Sequence, residues 1–240
     1  MNITRRGFIC MAGIGMLGLA GCSQGNQDKS DGQSSGKQSL GDKKQAEKKP
    51  EPLPLEIVDS GWSVLGEGWV YYGIAIKNPN SGLEAQYPGF TITGKADDGS
   101  IIFSNEQVCT VVFPGETIYH GFQAGNGTAP ASVEFKVKEP TWVESAGIDG
   151  EVFTVSNTAE VIGEYGNTSF TGEVTVNTKV DKNTMGQIAL TVITRDENNA
   201  INFGNGTFID MASERETVPF DIPCYQVPEH SSFEIYAKAW

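Results

Sequence analysis

Histidine is nearly absent from this chain of 240 residues: only His120 and His230 occur, and neither stands in a nucleophile or metal motif. The side chain best suited to moving protons near neutral pH is thus scarce. No Gly-x-Ser-x-Gly elbow, phosphate-binding glycine loop or His-Glu-x-x-His sequence occurs either. The chain nominates no catalytic residue and no cofactor, and it reads as a non-enzyme whose two histidines are strand-edge or loop residues. Cysteine is also sparse, at four residues, and no Cys/His spacing suggests zinc. Basic charge is short as well. There are 17 Lys+Arg against 30 Asp+Glu, a net of −13. Residues 1–50 hold eight of the basic and four of the acidic residues, which leaves 51–240 with nine and twenty-six, a net of −17. Such a body lacks the clustered cations that nucleic acid or anionic lipid requires.

Long apolar runs are missing too. The longest, Gly7 to Ala20, is too short to cross a bilayer as a helix, which takes about 20 apolar residues. What precedes and follows it is more telling. Arg5-Arg6 supply a positive start, and Leu19-Ala20-Gly21 lead directly into Cys22. Small residues before a cysteine, after a short apolar stretch, resemble the lipobox of bacterial lipoprotein signal peptides. That resemblance implies cleavage after Gly21 and diacylation of the Cys22 thiol. It places the mature protein on the extracytoplasmic face of the cell membrane, held by diacylglycerol. Two acyl chains at roughly 0.8 kcal/mol per CH₂ make such an anchor stable where one gives only marginal attachment. Thr4-Arg5-Arg6-Gly7-Phe8-Ile9 is also similar to the twin-arginine export motif, with Phe8 and Ile9 where that motif has an aromatic and an aliphatic residue. The alternative is ordinary export with the arginines setting orientation.

Ser23 to about Pro54 is rich in Gln, Gly, Ser, Asp and Lys and nearly free of large apolar residues. It reads as a disordered tether, since such a composition buries too little apolar surface to offset its ordering entropy. A coil of this length reaches on the order of 30 Å.

Beyond it the chain repeats. Shifted by 100 residues, Thr91, Ile101, Phe103 and Asn105 meet Thr191, Ile201, Phe203 and Asn205, and Glu116-Thr117 meets Glu216-Thr217. Upstream the offset drops to 98, where Leu55–Asp59 meets Phe153–Asn157. The organisation expected is a signal peptide at 1–21, an anchor and linker at 22–54, one domain at 55–138 and a second at 139–240. Both copies read as strands. Val70, Tyr72, Ile74 and Ile76 alternate with other residues, as do Phe170, Val174 and Val176. Turns rich in Asp, Asn and Gly follow the apolar runs at Asp97-Asp98-Gly99 and Glu197-Asn198-Asn199. The fold class is therefore all-β, two tandem β-sandwiches of immunoglobulin-like, Greek-key type. Oxygen ligands on Asp97-Asp98 and Asp196–Asn199 are too few for calcium and read as turn chemistry. Cys109 and Cys224 would have to pair between the two copies, which favours two buried thiols over a disulfide.

Asn78-Pro79-Asn80-Ser81, Phe90-Thr91-Ile92-Thr93, Ala96-Asp97-Asp98-Gly99 and Pro114-Gly115-Glu116-Thr117 together resemble the FxLYD-type domain of bacterial surface lipoproteins. Thr93-Gly94 stands where that family has Tyr-Asp, and the second copy keeps only Leu190-Thr191-Val192 and Glu216-Thr217. The resemblance implies an immunoglobulin-like sandwich used for extracytoplasmic binding or scaffolding, with no catalytic residues to transfer.

One difference between the copies suggests a ligand face. The outer set Ser169, Thr171, Glu173 and Thr175 is polar, whereas Trp69, Tyr71, Gly73 and Ala75 are aromatic or small, with Trp62 nearby in sequence. Trp62, Trp69 and Tyr71 form a candidate surface for an unknown protein or glycan partner. The competing reading buries that face between the domains. An accessory subunit stabilising an exported enzyme or transporter is the alternative function.

Overall fold

The computed structural model describes residues 51–147, 150–164, 166–180 and 185–240. The signal, Cys22 and the tether lie outside the described residues. All regular structure among the described residues is β. The first repeat contributes β1 (Glu56–Leu65), β2 (Trp69–Lys77), β3 (Leu83–Gln86), β4 (Gly89–Lys95), β5 (Ile101–Val108), β6 (Thr117–Ala124) and β7 (Ser132–Val137). A short β8 (Thr141–Glu144) follows. The second repeat contributes β9 (Phe153–Ile162), β10 (Thr168–Val176), β11 (Gln187–Arg195), β12 (Ile201–Asp210), β13 (Thr217–Cys224) and β14 (Ser232–Ala239).

Each repeat is a sandwich of two three-stranded antiparallel sheets. In the first, β1-β2-β6 covers β5-β4-β7; in the second, β9-β10-β13 covers β12-β11-β14. The alternation read in the sequence is the alternation of burial. Val70, Tyr72, Ile74 and Ile76 face inward from β2 and are fully buried with Phe90 and Ile92 of β4. Phe170, Val174 and Val176 do the same in the second core, with Ile188, Leu190 and Val192. β8 has no counterpart in the second sandwich. It pairs antiparallel with β3 of the first repeat, so this segment of the 139–240 span adds a strand to the first module.

Strand pairing also places the break in the repeat offset. Val64 faces Val70 and Ile162 faces Thr168, so β1 and β2 both map onto β9 and β10 at 98. Gly89 opposite Val108 and Ala189 opposite Phe208 put β4 and β5 at 100. The change therefore falls after β2, not before it. Both offsets are even, so the inward and outward sets are unaffected.

The shared turn motifs have a mechanical meaning. Glu116 Oε2 accepts the Phe113 N–H at 3.0 Å, and Glu216 Oε2 accepts that of Ser213 at 2.7 Å, closing the same turn in both repeats. Asn78, fully buried, donates from Nδ2 to the Leu83 and Val112 carbonyls at 2.7 and 3.0 Å. Its Oδ1 accepts from Asn80, which in turn holds both the N–H and the carbonyl of Leu53. The asparagine-rich turn thus fixes the point where the chain enters the first sandwich. Asp98 and Asp196 accept main-chain N–H groups within their own hairpins, and Ser100 holds the Asp98 carboxyl below its usual range.

Cys109 and Cys224 are free and buried. Burial pushes the Cys109 thiol up to about 12 and the Cys224 thiol up to about 11, which makes both poor nucleophiles.

His120 departs from the strand-edge reading. It lies opposite Ile74, its ring packs edge-on against Phe90 at 5.3 Å, and its Nε2 is enclosed without a hydrogen-bond partner. The corresponding pair in the second repeat is Gly172 opposite Phe220, a small residue and a large ring in place of two medium ones. Burial lowers the His120 pKa to about 4. The unfolded chain therefore takes up a proton below pH ~6.5 that the folded chain refuses until about pH 4. Stability should fall across that window by up to about 3 kcal/mol from this residue. Urea midpoints measured between pH 7 and 4 should show a shallower decline in His120→Leu than in the wild type. Equal slopes would show that the imidazole is not the group responsible.

Candidate functional site

The face singled out by the sequence is where the two repeats meet. Gly61, Gly73 and Gly121 lie side by side across β1, β2 and β6, forming a transverse row on the outer face of that sheet. β12 runs across this row. A Cβ on Gly61 would overlap the Ile201 carbonyl, and one on Gly73 would lie 2.8 Å from side-chain carbons of Ile193 and Ile201. One on Gly121 would lie 2.8 Å from the Asn205 nitrogen. From the other side, a Cβ on Gly204 would come within 2.5 Å of the Tyr72 carbonyl oxygen. Main chain thus rests on main chain along the seam, and only glycine permits it.

The seam is closed by specific pairs. Ser63 Oγ donates to the Asn202 carbonyl at 2.6 Å. Tyr71 stacks on Phe203 with centroids 5.4 Å apart, and its hydroxyl accepts from Gln123. Arg195, nearly buried, reaches Asp59 at 2.8 Å and Glu234 at 3.1 Å. In the first repeat the equivalent pair is Lys95 with Glu134, which stays within its own sheet.

These contacts correct the candidate ligand surface. Trp62 faces Tyr72 across the β1–β2 pair and sits in the first core, 6% exposed. Tyr71 is turned onto the second repeat. Trp69 alone of the three is open, at 38%. The three do not share one accessible face, and Gly73 and Ala75 are small because β12 needs the room. The signal was present in the sequence as a complementary difference. Ile193, Gly204 and Gly206 replace Thr93, Ser104 and Glu106 of the first repeat, so β11 gains a large apolar side chain on its outer face and β12 is thin. A strand buried on both faces loses the simple polar-out alternation. The reverse replacement also holds. Thr171, Glu173 and Asp221 occupy in the second repeat the face that carries Gly73, Ala75 and Gly121 in the first, so that sheet stays polar.

Beside the seam lies a groove of about 1000 Å³. Its first wall comes from Thr110, Phe113, Glu116 and Tyr119, and its second from β14 and the start of β9. Tyr119 and Tyr236 stack at 3.9 Å with rings 10° from parallel. Lys238 Nζ pairs with Glu116 at 2.7 Å and sits 5.0 Å over the Phe113 ring. Burial, and next the neighbouring Tyr119 hydroxyl, raise the Tyr236 phenol above its ordinary pKa, so it stays protonated. Thr110 Oγ1 donates to the Ala239 carbonyl at 2.6 Å. Lys238 and Glu116 are paired and the Tyr236 phenol keeps its proton, an arrangement suited to contact rather than to proton transfer. Among the described residues, no three His, Cys, Asp or Glu side chains gather as a metal set. Compared with protein families and with characterised proteins, the chain matches no family model and no curated protein.

Proposed function

We propose that this protein is a twin-arginine-exported, lipid-anchored extracytoplasmic lipoprotein, acting as a non-enzymatic binding or scaffold module. Cys22 carries the diacylglycerol, residues 23–54 form the leash, and the two repeats are immunoglobulin-like domains of FxLYD type. The pairing of β1-β2-β6 with β5-β4-β7, repeated at β9-β10-β13 with β12-β11-β14, supports that reading of the domains. The observation that carries the function is the seam. Two sandwiches locked main chain to main chain present one preformed groove, and preformed surfaces bind with less ordering cost. A protein partner is favoured over a glycan, because the Tyr71 ring that would stack on a sugar already stacks on Phe203.

The anchor is tested directly. Cys22→Ala should abolish palmitate labelling and move the protein from the membrane to the soluble fraction by roughly tenfold or more. Retention of the Cys22→Ala chain on membranes would remove the lipid from the proposal.

A further inference from the structure

We propose that the free edge of β14 accepts an extended segment of a partner polypeptide as an added strand within the seam groove. This rests on the reading of the protein as a binding module and narrows its partner to a polypeptide. β14 is the outer strand of its sheet, paired on one side only, with β11. Gln187 and Trp240 exchange both main-chain hydrogen bonds, at 3.0 and 2.8 Å. Antiparallel pairing alternates, so Lys238, Tyr236 and Glu234 also direct their N–H and C=O groups to β11. Phe233, Ile235, Ala237 and Ala239 therefore direct theirs away from it. The Ala239 carbonyl accepts from Thr110 of the first repeat, which shows that this edge faces the seam. Among the described residues, no main-chain group bonds to the edge at Phe233, Ile235 or Ala237.

Three features make this edge a receptor and not merely an end of a sheet. Ile235, Tyr236, Ala237, Lys238 and Ala239 line the groove, so there is room beside the strand. The side chains of Phe233, Ile235, Ala237 and Ala239 pack on the second core yet remain only half-buried. The first repeat carries Val137 and Glu139 where the second has Ala237 and Ala239, so the side chains that would flank those of an incoming strand are smaller here. A row of donors and acceptors repeating at about 6.8 Å fits an extended main chain and no sugar or small ion. Alternate side chains of the added strand would cover Ile235 and Ala237 and meet Val155 of β9, which favours a segment of alternating apolar residues.

The probe is an acetylated, amidated peptide of alternating threonine and valine, added to the full chain in detergent micelles. Its binding should slow amide exchange at Phe233, Ile235 and Ala237 by roughly tenfold or more. Tyr236 and Lys238, already bonded to β11, should change little. Ala237→Pro removes an edge N–H without touching the β11 ladder and should weaken binding at least roughly tenfold. A probe peptide methylated on alternate amides should fail against the wild-type chain, a control that needs no protein variant. Equal binding by wild type and Ala237→Pro would overturn the edge while leaving a binding module. Absence of peptide binding, or slow exchange at Phe233, Ile235 and Ala237 before any peptide is added, would also overturn it.

Discussion

Gly61→Val is expected to destabilise the folded body by at least about 3 kcal/mol, the upper end for overpacked sites. The position has ordinary strand geometry, so the residue does not resist a side chain through its own backbone. The cost comes from the Ile201 carbonyl directly above it. Main-chain atoms fixed in two hydrogen-bonded sheets have nowhere to move, so the repeats must separate. Separation would expose Ile193 and Phe203, now fully buried, and break the pair between Arg195 and Asp59. The wild type should therefore unfold in one transition. The variant should show two, or one at a midpoint lower by roughly 10 °C, given about 2–4 °C per kcal/mol for a body of this size. Gly82→Val serves as the control, because a Cβ there meets no atom within 4 Å. If calorimetry found Gly61→Val and Gly82→Val alike, the seam would not hold the repeats together.

Phe203→Ala should cost about 4 kcal/mol, within the range for truncating a fully buried phenylalanine. Phe203 is completely buried in the second core and also supplies the ring on which Tyr71 of the first repeat stacks. Its removal thus opens a cavity in one sandwich and loosens the contact with the other. A double-mutant cycle with Tyr71→Ala separates the two effects, since an aromatic pair contributes about 1 kcal/mol beyond its buried area. Phe103, the equivalent residue in the first repeat, is also buried but makes no ring contact with Tyr71. Phe103→Ala should be similarly costly and show no coupling to Tyr71. Denaturant midpoints for the three single and two double variants decide the matter. Additive losses for Phe203 and Tyr71 would remove the stacking from the account.

Together these expectations describe a tandem pair that has diverged into two complementary halves. The first repeat gave up bulk on the outer face of β1-β2-β6, and the second gave up bulk on β12 and gained Ile193 on β11. Because Glu173 and Asp221 keep the second repeat's equivalent face charged, and Glu106 keeps β5 bulky, the contact made once is not repeated to build a chain of copies.

The inward faces of β2 and β10 were legible from alternation alone, because burying one side of a pleated strand forces apolar residues into every second position. The hairpin turns were equally legible. Gly99 and Asn199 both take positive φ, at 82° and 61°, where few other residues are comfortable. The address proposed at Cys22 likewise rests on a short linear motif and not on any fold. What no local pattern could decide was the use of the outer faces. An aromatic and two small residues on a sheet suit a ligand or a neighbouring sheet equally well, and only the docking of β12 on the glycine row separates the two. The same holds for His120, whose burial depends on Ile74 and Phe90 closing around it from strands far apart in the chain. Periodicity records which side of a strand avoids water, whereas what covers that side is set by contacts between residues on different strands, dozens of positions apart for His120 and over a hundred for the seam.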